Sequence, residues 1–202
     1  DIDTSKISFT ISPKVGNKDT YSLSEFAVSN GTYSMNFENV PVGEYTITEN
    51  RTDITGYSFQ TVQYTVDGSN PVDGNVAAVD VEKADSVNDA TVVAYTNTYT
   101  KELVTVAGSK TWVGDTNNSG TRPASITVHL WADGISKDSM TVTAADNWAW
   151  SFAGLEKYEN GREIVYTITE EAVNDYTTEV DGYNITNTYN PGHTSVTVVK
   201  LW

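Results

Sequence analysis

No cysteine occurs among the 202 residues. Disulfides and thiolate metal sites are therefore excluded, and any covalent staple has to come from other chemistry. Histidine is almost missing as well. His129 and His193 are the only two, and neither stands in a serine or cysteine context that suggests a triad. Basic side chains are scarce: 12 Lys and Arg against 27 Asp and Glu leave a net charge of -15. That balance argues against nucleic acid and anionic membrane surfaces as partners, because both are gripped by Lys/Arg patches. No apolar run is long enough for membrane insertion, and the first residues do not read as a secretory leader. A glycine-rich phosphate loop and apolar stripes at helical spacing are absent too.

What is there is Thr, Val, Tyr, Asn and Asp, an all-β composition. Ile7, Phe9 and Ile11 alternate with polar residues, and a turn-rich stretch follows from Pro13 to Asp19. Tyr33, Met35 and Phe37 then lead to the turn Pro41-Val42-Gly43. Further strands are expected over 45–49, 57–66, 76–81 and 91–99, with Asp67-Gly68 and Asp73-Gly74 as turn signals. Short helical turns fit only around 22–27 and 83–87. In the second half, strands are expected over 104–113, 126–131, 139–143, 148–152, 163–170 and 183–189, with Asp133-Gly134 as a hairpin turn. Short strands and polar turns in this rhythm predict sandwiches of immunoglobulin type.

One phrase is written twice. Tyr183-Asn184-Ile185-Thr186-Asn187-Thr188-Tyr189 echoes Ala94-Tyr95-Thr96-Asn97-Thr98-Tyr99. An acidic strand of one wording precedes each, Tyr45 to Glu49 and Tyr166 to Glu170. The repeat predicts two tandem domains, 1–101 and 102–191. A third start is expected at 192–202, because Val196 to Trp202 repeats the spacing V-x-x-x-K-x-W of Val106 to Trp112.

Strand parity singles out the chemistry. Residues two apart share a face. Lys110 is in line with Val104, Val106 and Trp112; Glu170 with Tyr166 and Ile168; Asn187 with Ile185 and Tyr189. A buried ammonium and carboxylate are costly unless they pair, neutralise or react. Parity alone admits either a buried salt bridge beside a hydrogen-bonding Asn, or a reaction between the groups.

Gly108 to Trp112, Arg122 to Val128, Tyr166 to Glu170 and Tyr183 to Tyr189, in that order, resemble a Cna B-type domain over essentially all of 103–191. Such domains are stalk repeats of Gram-positive adhesins and pilins. The resemblance implies an intramolecular isopeptide bond, with Lys110 as nucleophile, Asn187 as electrophile and Glu170 as proton shuttle. Residues 3–11, 40–49 and 95–99 resemble the streptococcal pilin isopeptide-linkage domain. That likeness puts Glu49 in the shuttle position and Asn97 in the acceptor position. The relative's donor Lys precedes the stretch resembling 3–11, so a first strand is expected to be missing here. Lys6 does not replace it, since Ile7 and Phe9 point the other way. Lys200 is then a donor for another domain.

Other candidates read as structure. Trp148 and Trp150, in line with Phe152, are expected in the core rather than as a sugar platform. Asp115, Asn117 and Asn118 before Gly120 lack the distant bidentate Glu of a calcium loop, so no metal is expected. His129 alternates with core residues and should face solvent. The resemblance implies a structural stalk or pilin-shaft segment, extracellular and wall-anchored through a part outside this stretch. It implies no enzyme beyond single-event self-crosslinking, and no cofactor. Partners would be neighbouring domains, other pilin subunits or a host surface ligand. The rival reading is an adhesin module that binds host matrix protein or glycan.

Overall fold

The computed structural model describes residues 4–50, 53–83, 89–115, 122–190 and 195–202. The chain divides into two compact units, Asp1–Glu102 and Leu103–Trp202. Both are all-β sandwiches of immunoglobulin-like type, a four-stranded sheet in one and in the other laid against a three-stranded one.

Unit 1 contains β1 (Ser8–Val15), β2 (Lys18–Ser22), β3 (Ala27–Ser29), β4 (Thr32–Ser34), β5 (Gly43–Asn50), β6 (Tyr57–Val66), β7 (Val72–Asp73), β8 (Val76–Val81) and β9 (Val93–Lys101). Its sheets run β2-β1-β5-β8 and β7-β6-β9, with β3-β4 a separate hairpin. Ile11, Val15, Tyr21, Tyr45 and Val79 form the core, and Met35, Phe37 and Val40 pack on it. Two expectations change. The stretch from Pro13 is not all turn, because β1 runs to Val15 and reverses at Gly16, whose φ of 72° favours glycine. Tyr33, Met35 and Phe37 do not make one strand. Only Thr32–Ser34 is a strand, paired with β3, and 35–37 carry no ladder. The helical turn near Ser22 is a 3-10 turn, Leu23–Glu25, closed by a capping box between Ser22 and Glu25. The second expected helical turn lies mostly outside the described residues.

Unit 2 contains β10 (Leu103–Val113), β11 (Ser125–Ala132), β12 (Ile135–Thr143), β13 (Ala149–Glu156), β14 (Tyr158–Glu159), β15 (Arg162–Glu163), β16 (Tyr166–Glu170), β17 (Tyr176–Asp181) and β18 (Asn184–Tyr189). The sheets run β13-β10-β18-β17 and β12-β11-β16. Val106, Val128, Leu130, Val142, Trp150, Phe152, Ile168 and Ile185 fill the space between them. Burying each such side chain contributes about 1.5–3 kcal/mol. The Asp133-Gly134 turn joins β11 to β12 with both residues at positive φ, as a type I′ hairpin requires. β17 is a strand that the sequence reading did not anticipate.

The first and last strands of unit 2, β10 and β18, lie side by side and parallel. Their approach depends on Gly108. A Cβ there would stand 1.6 Å from the Tyr183 carbonyl oxygen. The tail from Ser195 to Trp202, expected as a strand, joins no ladder, and Val196, Val198, Leu201 and Trp202 are exposed.

Candidate functional site

Alternation along β10 turns Val106, Gly108, Lys110 and Trp112 toward the facing sheet. The same alternation on β16 turns Tyr166, Ile168 and Glu170 inward. Lys110 Nζ therefore meets Glu170 Oε1, and neither side chain has any solvent exposure. Burial holds the Lys110 amine below its ordinary range, opposed in part by the Glu170 carboxylate. The ammonium form is thus disfavoured where the amine is placed.

Asn187 lies on β18, opposite Trp112 and one same-face step from the position opposite Lys110. It is fully buried. Neither Oδ1 nor Nδ2 of its carboxamide finds a hydrogen-bond partner among the described residues. A buried amide left so costs stability unless it is used. Site and sheet together hold a dry amine, a carboxyl group and an unengaged carboxamide.

Two further groups shape this place. Thr178 of β17 stands opposite Asn187, and its hydroxyl donates to Glu170 Oε2 at 3.2 Å. Glu170 is therefore held by both oxygens, one toward the amine and one toward Thr178. The Trp112 ring lies 4.8 Å from Lys110 Nζ and is flanked by Trp148 and Tyr176. Arg122 stacks on that ring and pairs through two nitrogens with Asp115, which also accepts from Tyr176 at 2.6 Å. The Arg122 hydrogen bonds draw the Asp115 carboxyl down to about 2. Thr178 escaped the sequence reading because β17 was not recognised; only its register opposite Asn187 reveals it.

In unit 1, Glu49 is buried on β5 and accepts from the Asn97 side-chain nitrogen at 2.7 Å. Asn97 sits on β9, so the pair spans the two sheets. Asn97 Oδ1 is buried with no hydrogen-bond partner among the described residues. A cavity of about 420 Å³ opens beside Glu49, lined also by Asn50, Val62, Gly74 and Asn75. Lys6 is exposed at the end of a 3-10 turn and does not share this interior. Lys200 lies on the exposed tail.

Residues 106–188 match the family model described as Cna protein B-type domain. Unit 2 contains a Cna B-type domain. Residues 2–100 match the model described as domain of unknown function (DUF5979). The collagen adhesin of Staphylococcus aureus is 42% identical over 143 residues, which are 71% of this chain and 12% of that protein. The chain thus spans a small part of the curated relative that it matches. Among solved structures, a single B repeat unit (B1) of the collagen binding surface protein of Staphylococcus aureus is 25% identical, with a TM-score of 0.43. That alignment covers 66% of this chain and 88% of the other. The full-length RrgB pilus protein of Streptococcus pneumoniae is 16% identical, with a TM-score of 0.32, covering 92% of this chain and 41% of that one.

Cna B-type domains are structural modules and not enzymes. In this one the tryptophans serve the core: Trp150 is buried and Trp148 packs against Trp112. His129 is half-buried, its Nε2 3.4 Å from the exposed Glu171, just past the end of β16. Asp115, offered by sequence as one corner of a calcium loop, is instead committed to Arg122 and Tyr176. Asn117, Asn118, Gly120 and His193 lie outside the described residues. No described helix is long and apolar enough to cross a membrane.

Proposed function

We propose that this chain is a segment of a Gram-positive surface stalk or pilin shaft whose Cna B-type domain locks itself with a Lys110–Asn187 isopeptide bond. The observation that carries the reading is the dry Lys110–Glu170 contact, with a buried Asn187 carboxamide on the adjacent strand that has no hydrogen-bond partner among the described residues. Transfer of a proton from Lys110 to Glu170 leaves a neutral amine and a neutral acid. The amine attacks Asn187 Cγ while the acid polarises the carbonyl. The Nζ–Cγ bond forms, the Cγ–Nδ2 bond breaks, and Nδ2 leaves as ammonia with a proton from Glu170, which takes up in exchange the proton that Nζ sheds as it becomes the amide nitrogen. Amides are poor electrophiles, so fixed placement supplies most of the acceleration, about 7–11 kcal/mol at best. The event happens once per domain.

The bond would join the first and last strands of unit 2, which already neighbour one another. Force applied through the two ends of that unit would then load a covalent link in place of a ladder of hydrogen bonds. Such a part holds a tip away from the cell and resists shear. Wall anchoring, other pilin subunits and a host ligand belong to the longer protein under this reading. Intact mass spectrometry tests it: the purified chain should be lighter than its sequence by one ammonia. A full sequence mass in folded protein would sink the proposal.

A further inference from the structure

Unit 2 buries a donor and an acceptor that lack partners and complement each other. The Trp112 indole nitrogen is buried, and its N–H meets no acceptor among the described residues. An indole N–H can only donate. Asn187 Oδ1 is buried too and meets no donor among the described residues. The two residues stand directly opposite one another in the parallel ladder of β10 and β18. Both lie on the inward face of their strands. A buried donor left unpaired costs stability, so its persistence calls for a use. The ring that carries this N–H is also held in place. Trp148 and Tyr176 meet it edge-on, with ring centroids 5.3 and 4.9 Å away. Arg122 lies 5.5 Å from its centroid and is itself fixed by Asp115, which also accepts from Tyr176. Lys110 Nζ lies 4.8 Å from the same centroid, so the ring borders the attacking amine as well as Asn187.

We propose that Trp112 is an oxyanion donor for the condensation, its indole N–H donating to Asn187 Oδ1 as the carboxamide becomes tetrahedral. The inference rests on the Lys110–Asn187 reading of unit 2. When Nζ adds to Cγ, the π pair of the carbonyl moves onto Oδ1, and negative charge develops there. That oxygen then accepts from two donors, the Glu170 acid and the Trp112 N–H. No proton leaves the indole. The pair returns to the carbonyl as the Cγ–Nδ2 bond breaks, and the new amide oxygen keeps its neighbour. A donor without an acceptor in the resting site spends nothing on the ground state, so what it supplies lowers the barrier. Packing by Trp148, Tyr176 and Arg122 fixes the donor before the charge appears, which is what makes such a group effective. Trp150 Nε1 is likewise buried without a partner among the described residues. Trp150 stands opposite Gly108 on β13, however, and β13 borders β10 on the side away from β18. It therefore serves as the control.

The test deletes the N–H in two ways. Trp112→Phe removes it and leaves space, whereas naphthylalanine placed at the same position by codon suppression keeps two fused rings without an N–H. Intact mass on timed samples from cell-free synthesis follows the loss of ammonia in each chain. Both changes should slow bond formation on the order of a hundredfold, the effect of removing one oxyanion donor. Trp150→Phe, which deletes the other unpaired N–H and also loosens the core, should react at close to the wild-type rate. Wild-type kinetics with naphthylalanine would overturn the proposal, because the slowing in Trp112→Phe would then belong to ring size. Equal slowing in Trp150→Phe would overturn it too, since loose packing would account for both. These outcomes are read in chains whose wild type loses ammonia. A wild type that keeps its full sequence mass instead removes the Lys110–Asn187 reading, and the donor role with it.

Discussion

In the parallel ladder of β10 and β18, Asn187 stands opposite Trp112, so Lys110 lies diagonal to it on the same face. Diagonal same-face neighbours in a sheet lie about 7–8 Å apart at the backbone, within reach of a long side chain. An extended lysine can therefore lie along the sheet face with its amine near the carboxamide, while the Trp112 ring, 4.8 Å from Nζ, covers it. A directly opposite pair would force the lysine to fold back on itself. The offset suits a long donor and a short acceptor.

Removing the carboxyl group should stop the bond and leave the fold. Glu170→Ala is expected to keep the full sequence mass and its far-UV signal. Losing a crosslink that closes a long loop costs roughly 4 kcal/mol, which for a domain of this size is a fall in Tm on the order of 15–30 °C. Glu171→Ala is the control, because Glu171 is exposed just past the end of β16. Equal crosslinking in the two variants would remove Glu170 from the mechanism.

Thr178 holds the second oxygen of Glu170. Thr178→Val preserves shape and deletes the donor, and it should slow bond formation without abolishing it, on the order of tenfold for one lost hydrogen bond of about 1.4 kcal/mol. Thr178→Ser should restore the rate. Mass spectrometry on timed samples from cell-free synthesis reads this directly, and an unchanged time course in the valine variant would refute it.

Acid should separate Asp115 from Arg122 only at very low pH. The folded Asp115 pKa, about 2, lies below its ordinary value of 3.8. A carboxylate depressed in this way stabilises the fold above the higher value, and the contribution disappears as pH falls through the lower. Asp115→Asn should therefore lower the Tm of unit 2 at neutral pH. Wild type and variant should converge as pH approaches 2. A constant difference across that range would show that the loss comes from packing and not from charge.

Gly108→Ala tests the closeness of the two strands. The new methyl would meet the Tyr183 carbonyl oxygen at 1.6 Å and Trp150 at 2.9 Å. Backbone cannot yield that far cheaply, and overpacking of this severity costs about 3 kcal/mol or more. Urea unfolding should show unit 2 destabilised by that amount, with the crosslink reduced. Wild-type stability would mean that β10 and β18 lie farther apart.

Faces were legible in the sequence, and neighbours were not. Alternation alone turned Lys110, Glu170 and Asn187 inward, since a side-chain period of two is a property of the strand itself. The repeated phrase likewise announced two sandwiches, and Asp133-Gly134 its own turn. Nothing in the letters of β10 says that β18 will lie parallel beside it, that Thr178 will stand across from Asn187, or that Glu49 of one sheet will bind Asn97 of the other. Met35 and Phe37 alternate as a strand should, yet they make no ladder, because a strand also needs an edge to pair with. Ladders are made by backbone N–H and C=O groups that every residue carries, so pairing is blind to side-chain identity. Periodicity fixes where a side chain points; only the assembled sheets decide what it meets there.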